Sequence, residues 1–243
     1  MLMKRVSAEF VGTAFLLLAI VGSGIMAQRL AGGSVALALL ANALATGGAL
    51  VALILAFGPI SGAHLNPAVT LADAWQRGLP WGDVPGYLAA QFGGALSGVA
   101  LANVMFGLPP FFTSHHVRSG GAQWVSEFVA TFGLLVVVWG CARARPSAAP
   151  FAVAAYIIGA YWFTPSTSFA NPAVAVARAL TDTFAGIRPI DVGPFVAAQL
   201  AGAAAATGFF AWLSPAIQRT ADAVVLPHPA EAPDERHRER EFA

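Results

Sequence analysis

Long stretches without a charged side chain are the feature that most restricts what this chain can fold into. No Asp, Glu, Lys or Arg lies between Glu9 and Arg29, and none lies between Arg29 and Asp73. An apolar helix of about 20 residues is long enough to cross the hydrocarbon core of a bilayer. Only 10% of the 243 residues are charged and 57% are hydrophobic, whereas a soluble domain carries about 25% charged residues. The chain is therefore predicted to be a polytopic membrane protein.

The rest of the composition excludes other classes of function. The 13 Lys and Arg residues balance 12 Asp and Glu residues, which gives a formal net charge of +1 and no basic surface for a nucleic-acid partner. Cys141 is the only cysteine, so neither a disulfide framework nor a cysteine-based metal cluster can form. The sequence contains no Ser/His/Asp set, phosphate-binding loop or metal-ligand cluster. We therefore predict no enzymatic activity, no metal site and no cofactor.

The gaps between charges predict six full spans and two shorter apolar pieces. The gap over residues 30–72 is too long for one helix, and Gly58-Pro59 interrupts it. The other five spans are predicted over residues 10–28, 84–106, 123–141, 149–163 and 192–213. The two pieces that are too short to cross are residues 65–76 and 170–180.

The distribution of basic residues predicts the orientation of these spans. Five of them fall on one side of the membrane and three on the other, and the richer side is expected to be cytoplasmic. The richer side carries Lys4, Arg5, Arg143, Arg145 and Arg219, and the other carries Arg29, Arg118 and Arg188. Both termini are then cytoplasmic. Residues 214–243 are polar, proline-rich and of mixed charge, which predicts a disordered cytoplasmic tail.

An internal repeat divides the chain into two halves. Three short segments recur in the same order, at offsets of 118, 105 and 108 residues. The pairs are AEFVGT at 8–13 with SEFVAT at 126–131, LNPAV at 65–69 with ANPAV at 170–174, and AAQ at 89–91 with AAQ at 197–199. Each half has three spans, and an odd number requires the halves to lie in the membrane with opposite orientation. The predicted channel domain, residues 1–213, thus contains repeat one at about 4–107 and repeat two at about 121–213.

The two Asn-Pro-Ala segments carry the chemistry of this repeat. Asn is a favoured N-cap, and Pro at the first helical position loses no hydrogen bond. Inverted repeats place their functional site near the midplane, where discontinuous helices meet. We therefore predict two re-entrant half-helices that begin there, with the Asn amides available to a passing oxygen. One such segment is only a capped helix start, but two at matching positions indicate a site. The segments are Asn66, Pro67, Ala68 and Asn171, Pro172, Ala173.

With these residues the chain resembles the aquaporin, or major intrinsic protein, family over residues 4–213. The motifs that carry the resemblance are SGAHLNPAVT at 61–70, NPA at 171–173, Glu9 with Thr13, Glu127 with Thr131, and Gln91 with Gln199. The resemblance implies an all-α membrane protein of six transmembrane helices plus two re-entrant half-helices. It also implies a homotetramer in the lipid bilayer, with one pore per subunit and passive flux of small neutral solutes.

Two buried acids and a histidine fit this expectation. Glu9 and Glu127 are intramembrane carboxylates, which are functional candidates by default. We expect them to support the irregular loops by accepting backbone N–H groups, and a proton relay is the competing interpretation. His64 is expected to pack and hydrogen-bond in the first loop or to line the inner pore.

The sequence departs from the family at the narrowest part of the pore. Most members have Arg three residues after the second Asn, and here that position is Val174. Matching the family's pattern places Thr46, Gly159 (or Ala160) and Ser168 at the other filter positions. A filter of such small, uncharged residues predicts a pore wider than a water-only channel, one that admits glycerol-like polyols, urea-like solutes and metalloid hydroxides.

Arg178 is a candidate replacement for the missing cation. Asn171, Val174 and Arg178 lie at i, i+3 and i+7, which is one face of the second half-helix. Arg178 is therefore expected to bring positive charge to the outer vestibule, and the alternative is an ion pair with Asp182.

Val174 and the residues that follow it also resemble a bacterial aquaglyceroporin-like subgroup associated with arsenic resistance. Arsenous acid, an uncharged trihydroxide at neutral pH, would suit a filter without Arg. The resemblance places the protein in the bacterial inner membrane. An anion-conducting or proton-coupled transporter remains the alternative function.

Overall fold

In a computed structural model, which describes residues 2–213, six helices are long and apolar enough to cross a membrane and two are short. No strand occurs within those residues. The predicted tail, residues 214–243, lies outside them. The long helices are α1 (Leu2–Leu30), α2 (Val35–Ser61), α4 (Val84–Met105), α5 (Gly121–Ala144), α6 (Ala149–Phe163) and α8 (Pro189–Leu213). The short ones are α3 (Pro67–Trp75) and α7 (Pro172–Arg178). A 3-10 turn at Pro146–Ala148 precedes α6 and extends that span to Pro146–Phe163. The predicted all-α class with six spans is confirmed.

Helix α2 continues through the Gly58-Pro59 pair that is predicted to interrupt it. The helix ends at Ser61, two residues after Pro59, and the next residue, Gly62, adopts φ 86° and donates its N–H to the Gly58 carbonyl at 2.9 Å. A proline this close to the end of a helix removes one intrahelical hydrogen bond and leaves only a short segment to be displaced. Glycine at the left-handed position, rather than the proline, is what terminates the helix.

The helices pack as two similar groups that exchange their short elements. Helix α1 packs against α2 and α4, and α5 packs in the same way against α6 and α8. The half-helix α3 contacts α8 of the other half as well as α4, and α7 contacts both α4 and α8. Each half therefore contributes its short helix to a centre that both halves share.

Close helix packing depends on two glycines at equivalent positions of the repeat. A Cβ placed on Gly94 would collide with the backbone carbonyl of Phe10, and one placed on Gly202 would collide with that of Phe128. These pairs bring α4 onto α1 and α8 onto α5. Small residues at such contacts let membrane helices approach closely.

Replacing Gly202 with alanine is expected to destabilise the protein even though alanine favours helix formation. The new methyl group would meet the Phe128 carbonyl, which is backbone and cannot rotate away. Overpacking of this kind costs about 1–3 kcal/mol. Gly208 lies on the same helix, and a methyl group added there would have no neighbour within 4 Å, so Gly208→Ala is the matched control. Thermal unfolding in detergent should show a lower Tm for Gly202→Ala only, and equal Tm values would contradict this packing account.

Candidate functional site

The two half-helices begin opposite each other and are joined by reciprocal hydrogen bonds. Asn66 Nδ2 donates to the Ala170 carbonyl at 2.7 Å, and Asn171 Nδ2 donates to the Leu65 carbonyl at 2.8 Å. Each Asn Oδ1 also caps its own helix, by accepting the N–H of Ala68 or of Ala173 at 2.9 and 3.0 Å. One N–H of each amide remains available to a solute, because a carboxamide has two donors.

The loops that precede the half-helices hold the same strained backbone in both repeats. Ala63 and Leu65 adopt φ of 46° and 48°, and Ser168 and Ala170, each 105 residues later, adopt 51° and 48°. Residues other than glycine seldom occupy this left-handed region, and each one costs about 1–3 kcal/mol unless its surroundings enforce it. Matching strain at matching positions indicates that the loop shape serves the site.

Two buried glutamates provide the hydrogen bonds that enforce these loops. Glu9 accepts the backbone N–H groups of His64 and Leu65 at 3.0 and 2.7 Å, together with Gln91 Nε2 at 2.8 Å. Glu127 repeats the pattern with the N–H groups of Phe169 and Ala170, both at 2.9 Å, and with Gln199 Nε2 at 2.6 Å. In each glutamate both carboxylate oxygens accept hydrogen bonds from the loop or from the glutamine, an arrangement that suits a scaffold better than a proton relay.

A cavity runs past the two Asn side chains, and we call it the central cavity. Its volume is about 70 Å³, whereas a single water needs about 10–15 Å³. Much of its wall is apolar, with equivalent residues from each repeat: Leu16, Ile20, Leu50 and Ile54 from the first, and Leu134, Val138, Val153 and Ile157 from the second. The remaining wall carries the loop residues and the polar side chains described next.

The structure differs from the sequence prediction at the α6 position of the filter. Neither Gly159 nor Ala160 lines the central cavity, whereas Tyr161 does, and its hydroxyl lies 3.2 Å from Thr46 Oγ1. Ile157 and Tyr161 follow Val153 at intervals of four residues, so one face of α6 lines the cavity and Gly159 points elsewhere. The helical period leads to Tyr161 only once one cavity-facing residue of α6 is known, and matching to the family's usual pattern had selected Gly159 or Ala160 instead.

The contact between Thr46 and Tyr161 also gives the relative direction of α2 and α6, the equivalent helices of the two repeats. Thr46, Leu50 and Ile54 form the cavity face of α2, and Val153, Ile157 and Tyr161 form that of α6. The first residue of one face meets the last residue of the other. The two faces therefore run in opposite directions, as an inverted repeat requires.

Three other predicted filter or vestibule residues line the central cavity. Val174, Ser168 and Arg178 all contribute to its wall. The Ser168 hydroxyl is buried and makes no hydrogen bond within residues 2–213, so it is free to bond a solute.

Arg178 is buried, with an exposed fraction of 2%, and its guanidinium carbon lies 3.4 Å from the centroid of the Phe169 ring. Its Nε donates to the Ala185 carbonyl. The alternative ion pair with Asp182 is wrong, because Asp182 instead accepts the backbone N–H of His115 at 2.9 Å. That hydrogen bond, together with the His115 side chain, whose Nδ1 lies 3.1 Å from Asp182 Oδ2, holds the pKa of Asp182 below its ordinary value.

Arg118 was not predicted as part of the site, and the structure places it beside Arg178. Its guanidinium carbon lies 5.0 Å from the same Phe169 ring, and it donates to the carbonyls of Gly186 and Ser166 at 2.8 and 3.1 Å. Burial lowers the pKa of Arg118 to about 10, so the group stays charged at neutral pH. It reaches the site from the loop between α4 and α5, and no periodic pattern connects such a loop to α7.

His64 lines the opposite part of the central cavity and belongs to a buried polar cluster. Its Nδ1 lies 3.1 Å from Thr70 Oγ1 and its Nε2 lies 3.4 Å from Asp73 Oδ2. The ring also packs on Tyr87, at 5.4 Å between centroids. His64 thus both hydrogen-bonds in the loop and faces the cavity. No group of three or more metal-ligating side chains occurs within the described residues.

Comparisons with known proteins agree with this architecture. The family model described as Major intrinsic protein matches residues 1–168. Aquaglyceroporin AqpS of Rhizobium meliloti (strain 1021) is 52% identical over 212 residues, which cover 87% of this chain and 91% of that protein. Aquaporin NIP1-3 of Oryza sativa subsp. japonica is 36% identical, over 82% of this chain and 71% of that protein. The X-ray structure of the aquaglyceroporin from Plasmodium falciparum superposes with a TM-score of 0.69 at 21% identity, covering 90% of this chain and all of that one.

Proposed function

The chain belongs to the major intrinsic protein family, whose members are channels and not enzymes, and we propose that it is an aquaglyceroporin-type channel for water, glycerol-like polyols and arsenous acid. The observation that carries the proposal is the mixed wall of the central cavity: mostly apolar where the long helices line it, apart from Thr46 and Tyr161, and polar at the Asn side chains.

That wall suits a solute with carbon on one edge and hydroxyls on the other. Leu50, Ile157 and their apolar neighbours offer no hydrogen bonds, whereas Asn66 and Asn171 each retain a free N–H donor. Selectivity in channels of this kind depends on pore diameter and on the hydrogen-bonding groups that line it. A polyol can keep its hydroxyls hydrogen-bonded while its carbon atoms contact the apolar side. A hydrated ion has polar water molecules on every side, and those that face the apolar wall would lose their hydrogen bonds.

The filter residues support the extension to arsenous acid. Val174 stands where the family's usual pattern has Arg, and Thr46 and Ser168 are small hydroxyl-bearing residues of the cavity wall. Tyr161 makes this filter less open than Gly159 would, but its hydroxyl adds a polar contact. Arsenous acid is uncharged and presents three hydroxyls, so it resembles a small polyol in both size and hydrogen bonding.

Arg178 is proposed to supply the positive charge that Val174 lacks. The guanidinium lines the central cavity one helical turn beyond Val174, and a buried positive charge raises the energy of any cation that enters. Exclusion of cations then depends on Arg178 and on the positive N-terminal ends of the two half-helices.

The membrane setting is proposed on the same basis. Large apolar side chains such as Phe15, Leu44, Phe151 and Trp212 are exposed on the outer surfaces of the long helices, as contact with lipid or with other subunits requires. We place the protein in the bacterial inner membrane, as a homotetramer with both termini cytoplasmic.

Stopped-flow light scattering on proteoliposomes tests the assignment. The wild-type protein should accelerate water, glycerol and arsenous acid flux over empty liposomes, without saturation as the solute concentration rises. Saturation at low concentration would indicate a carrier. Flux of water alone, or no flux, would contradict the proposed solutes while leaving the fold intact.

A further inference from the structure

We propose that Arg178, supported by Arg118, forms a binding site for a small oxyanion, such as a monocarboxylate, at the end of the central cavity next to Phe169. The site does not require the cavity to conduct glycerol. Only its expected effect rests on the proposed function: a bound anion should obstruct the flux of neutral solutes through the central cavity.

Arg178 is the group that would contact the anion. Its exposed fraction is 2%, it lines the central cavity, and one of its nitrogens, Nε, is held by the Ala185 carbonyl. Within residues 2–213, Nη1 and Nη2 make no hydrogen bond. A planar guanidinium fixed in this way keeps a pair of N–H donors in the geometry that binds a carboxylate through two parallel bonds.

Arg118 adds a second positive charge without competing for the ligand. Its Nε and Nη1 are occupied by the carbonyls of Gly186 and Ser166, so its role is to hold the loop before α7 and to strengthen the local positive field. Both guanidinium groups lie against the Phe169 ring. Two like charges held against one ring repel each other, so the pair attracts a negative ligand to this end of the cavity.

No carboxylate in the described part of the chain neutralises either arginine. The ion pairs there are Arg5–Asp83, His64–Asp73, His115–Asp182 and Arg188–Asp191. Glu127 is occupied by two backbone N–H groups and Gln199, and Asp191 is shared between Arg188 and the backbone N–H of Arg118. Buried charges in proteins are normally paired, because a buried charge without a partner is strongly destabilising. An anion that enters through the cavity would complete the pairing.

Formate is a suitable probe because it is planar, carries one charge and is close in size to the solutes proposed for the cavity. Purified protein in detergent should show a rise in Tm that saturates with formate concentration, since a ligand that binds only the folded state stabilises it by mass action. Arg178→Gln should remove the saturable rise. Arg178→Lys keeps the charge but loses the planar pair of donors, and should weaken binding about tenfold. Arg118→Gln should weaken it without abolishing it.

Arg29→Gln is the matched control. Arg29 also packs against an aromatic ring, with its guanidinium carbon 5.1 Å from the Phe106 centroid, but it is exposed and lies away from the cavity. Its variant should bind formate like the wild type. Sodium gluconate, a much larger monocarboxylate, corrects for ionic strength, and any general effect of the salt is common to all variants.

The outcomes separate this site from the proposed function. Formate equilibrated on both sides of proteoliposomes should inhibit glycerol flux with the same half-saturation that the Tm shift gives. If the wild-type Tm changes only linearly with formate concentration, or if Arg178→Gln shows the same saturable rise as the wild type and Arg29→Gln, the site is absent. If the Tm shift saturates but no glycerol flux exists, the anion site stands and the channel assignment fails.

Discussion

Glu127→Ala is expected to abolish glycerol flux and to lower the free energy of unfolding by several kcal/mol. The substitution leaves the N–H groups of Phe169 and Ala170 and the Nε2 group of Gln199 without their acceptor. Each buried donor that loses its partner costs about 1–3 kcal/mol, against a total stability of about 5–15 kcal/mol for a typical protein. The loop before α7 would then relax from the left-handed geometry that presents its polar groups to the central cavity.

Glu9→Ala should have the same effect through the other loop, because Glu9 holds His64 and Leu65 in the equivalent way. Tm in detergent and glycerol flux in proteoliposomes measure both consequences. Thr131→Val is the control, since Thr131 lies one turn from Glu127 on α5 and its buried hydroxyl has no hydrogen-bond partner among the described residues. A Glu127→Ala protein that retained both stability and flux would show that the loops hold their shape without the carboxylate.

These interactions show why much of the fold could be predicted from the sequence. Six spans follow from the spacing of charges, and the inverted arrangement follows from an odd number of spans in each repeat. The meeting of the two half-helices at Asn66 and Asn171 follows from two N-capped helix starts at matching positions of that inverted repeat. The hydrogen bonds from each Asn to the carbonyl of Ala170 or Leu65 were not predicted.

The parts that the sequence predicted poorly depend on where side chains from distant elements meet. Tyr161 replaces Gly159 in the cavity wall because the face of α6 is set by its packing against α2, and a shift of two residues is enough to exchange a glycine for a tyrosine. Arg118 enters from a loop, where no period applies, and its partners are backbone carbonyls that carry no signature in the sequence. The left-handed backbone of Ala63 and Ser168 could not be predicted either, because neither alanine nor serine favours that conformation.

Val174→Arg is expected to reduce glycerol and arsenous acid flux by more than about tenfold while sparing water to within a few fold, because a guanidinium narrows the filter and selects for the smallest solute. Val174 lines the central cavity, so an unbranched side chain placed there must extend across it or along it toward Arg178. Arg178 lies four residues further along α7, and like charges at that spacing repel. The new side chain would therefore turn away from Arg178 and into the cavity.

Val174→Met separates the size of the new side chain from its charge. Methionine has a comparable reach but carries no charge, so it should reduce glycerol flux less than arginine does and should leave the exclusion of cations unchanged. Stopped-flow scattering with water, glycerol and arsenous acid gradients measures the three permeabilities for wild type and both variants. If Val174→Arg left glycerol flux intact, the narrowest point would lie elsewhere along the cavity, with Thr46 and Tyr161 as the residues already in contact across it. If the methionine and arginine variants behaved alike, the size of the side chain at position 174, and not its charge, would set the selectivity among neutral solutes.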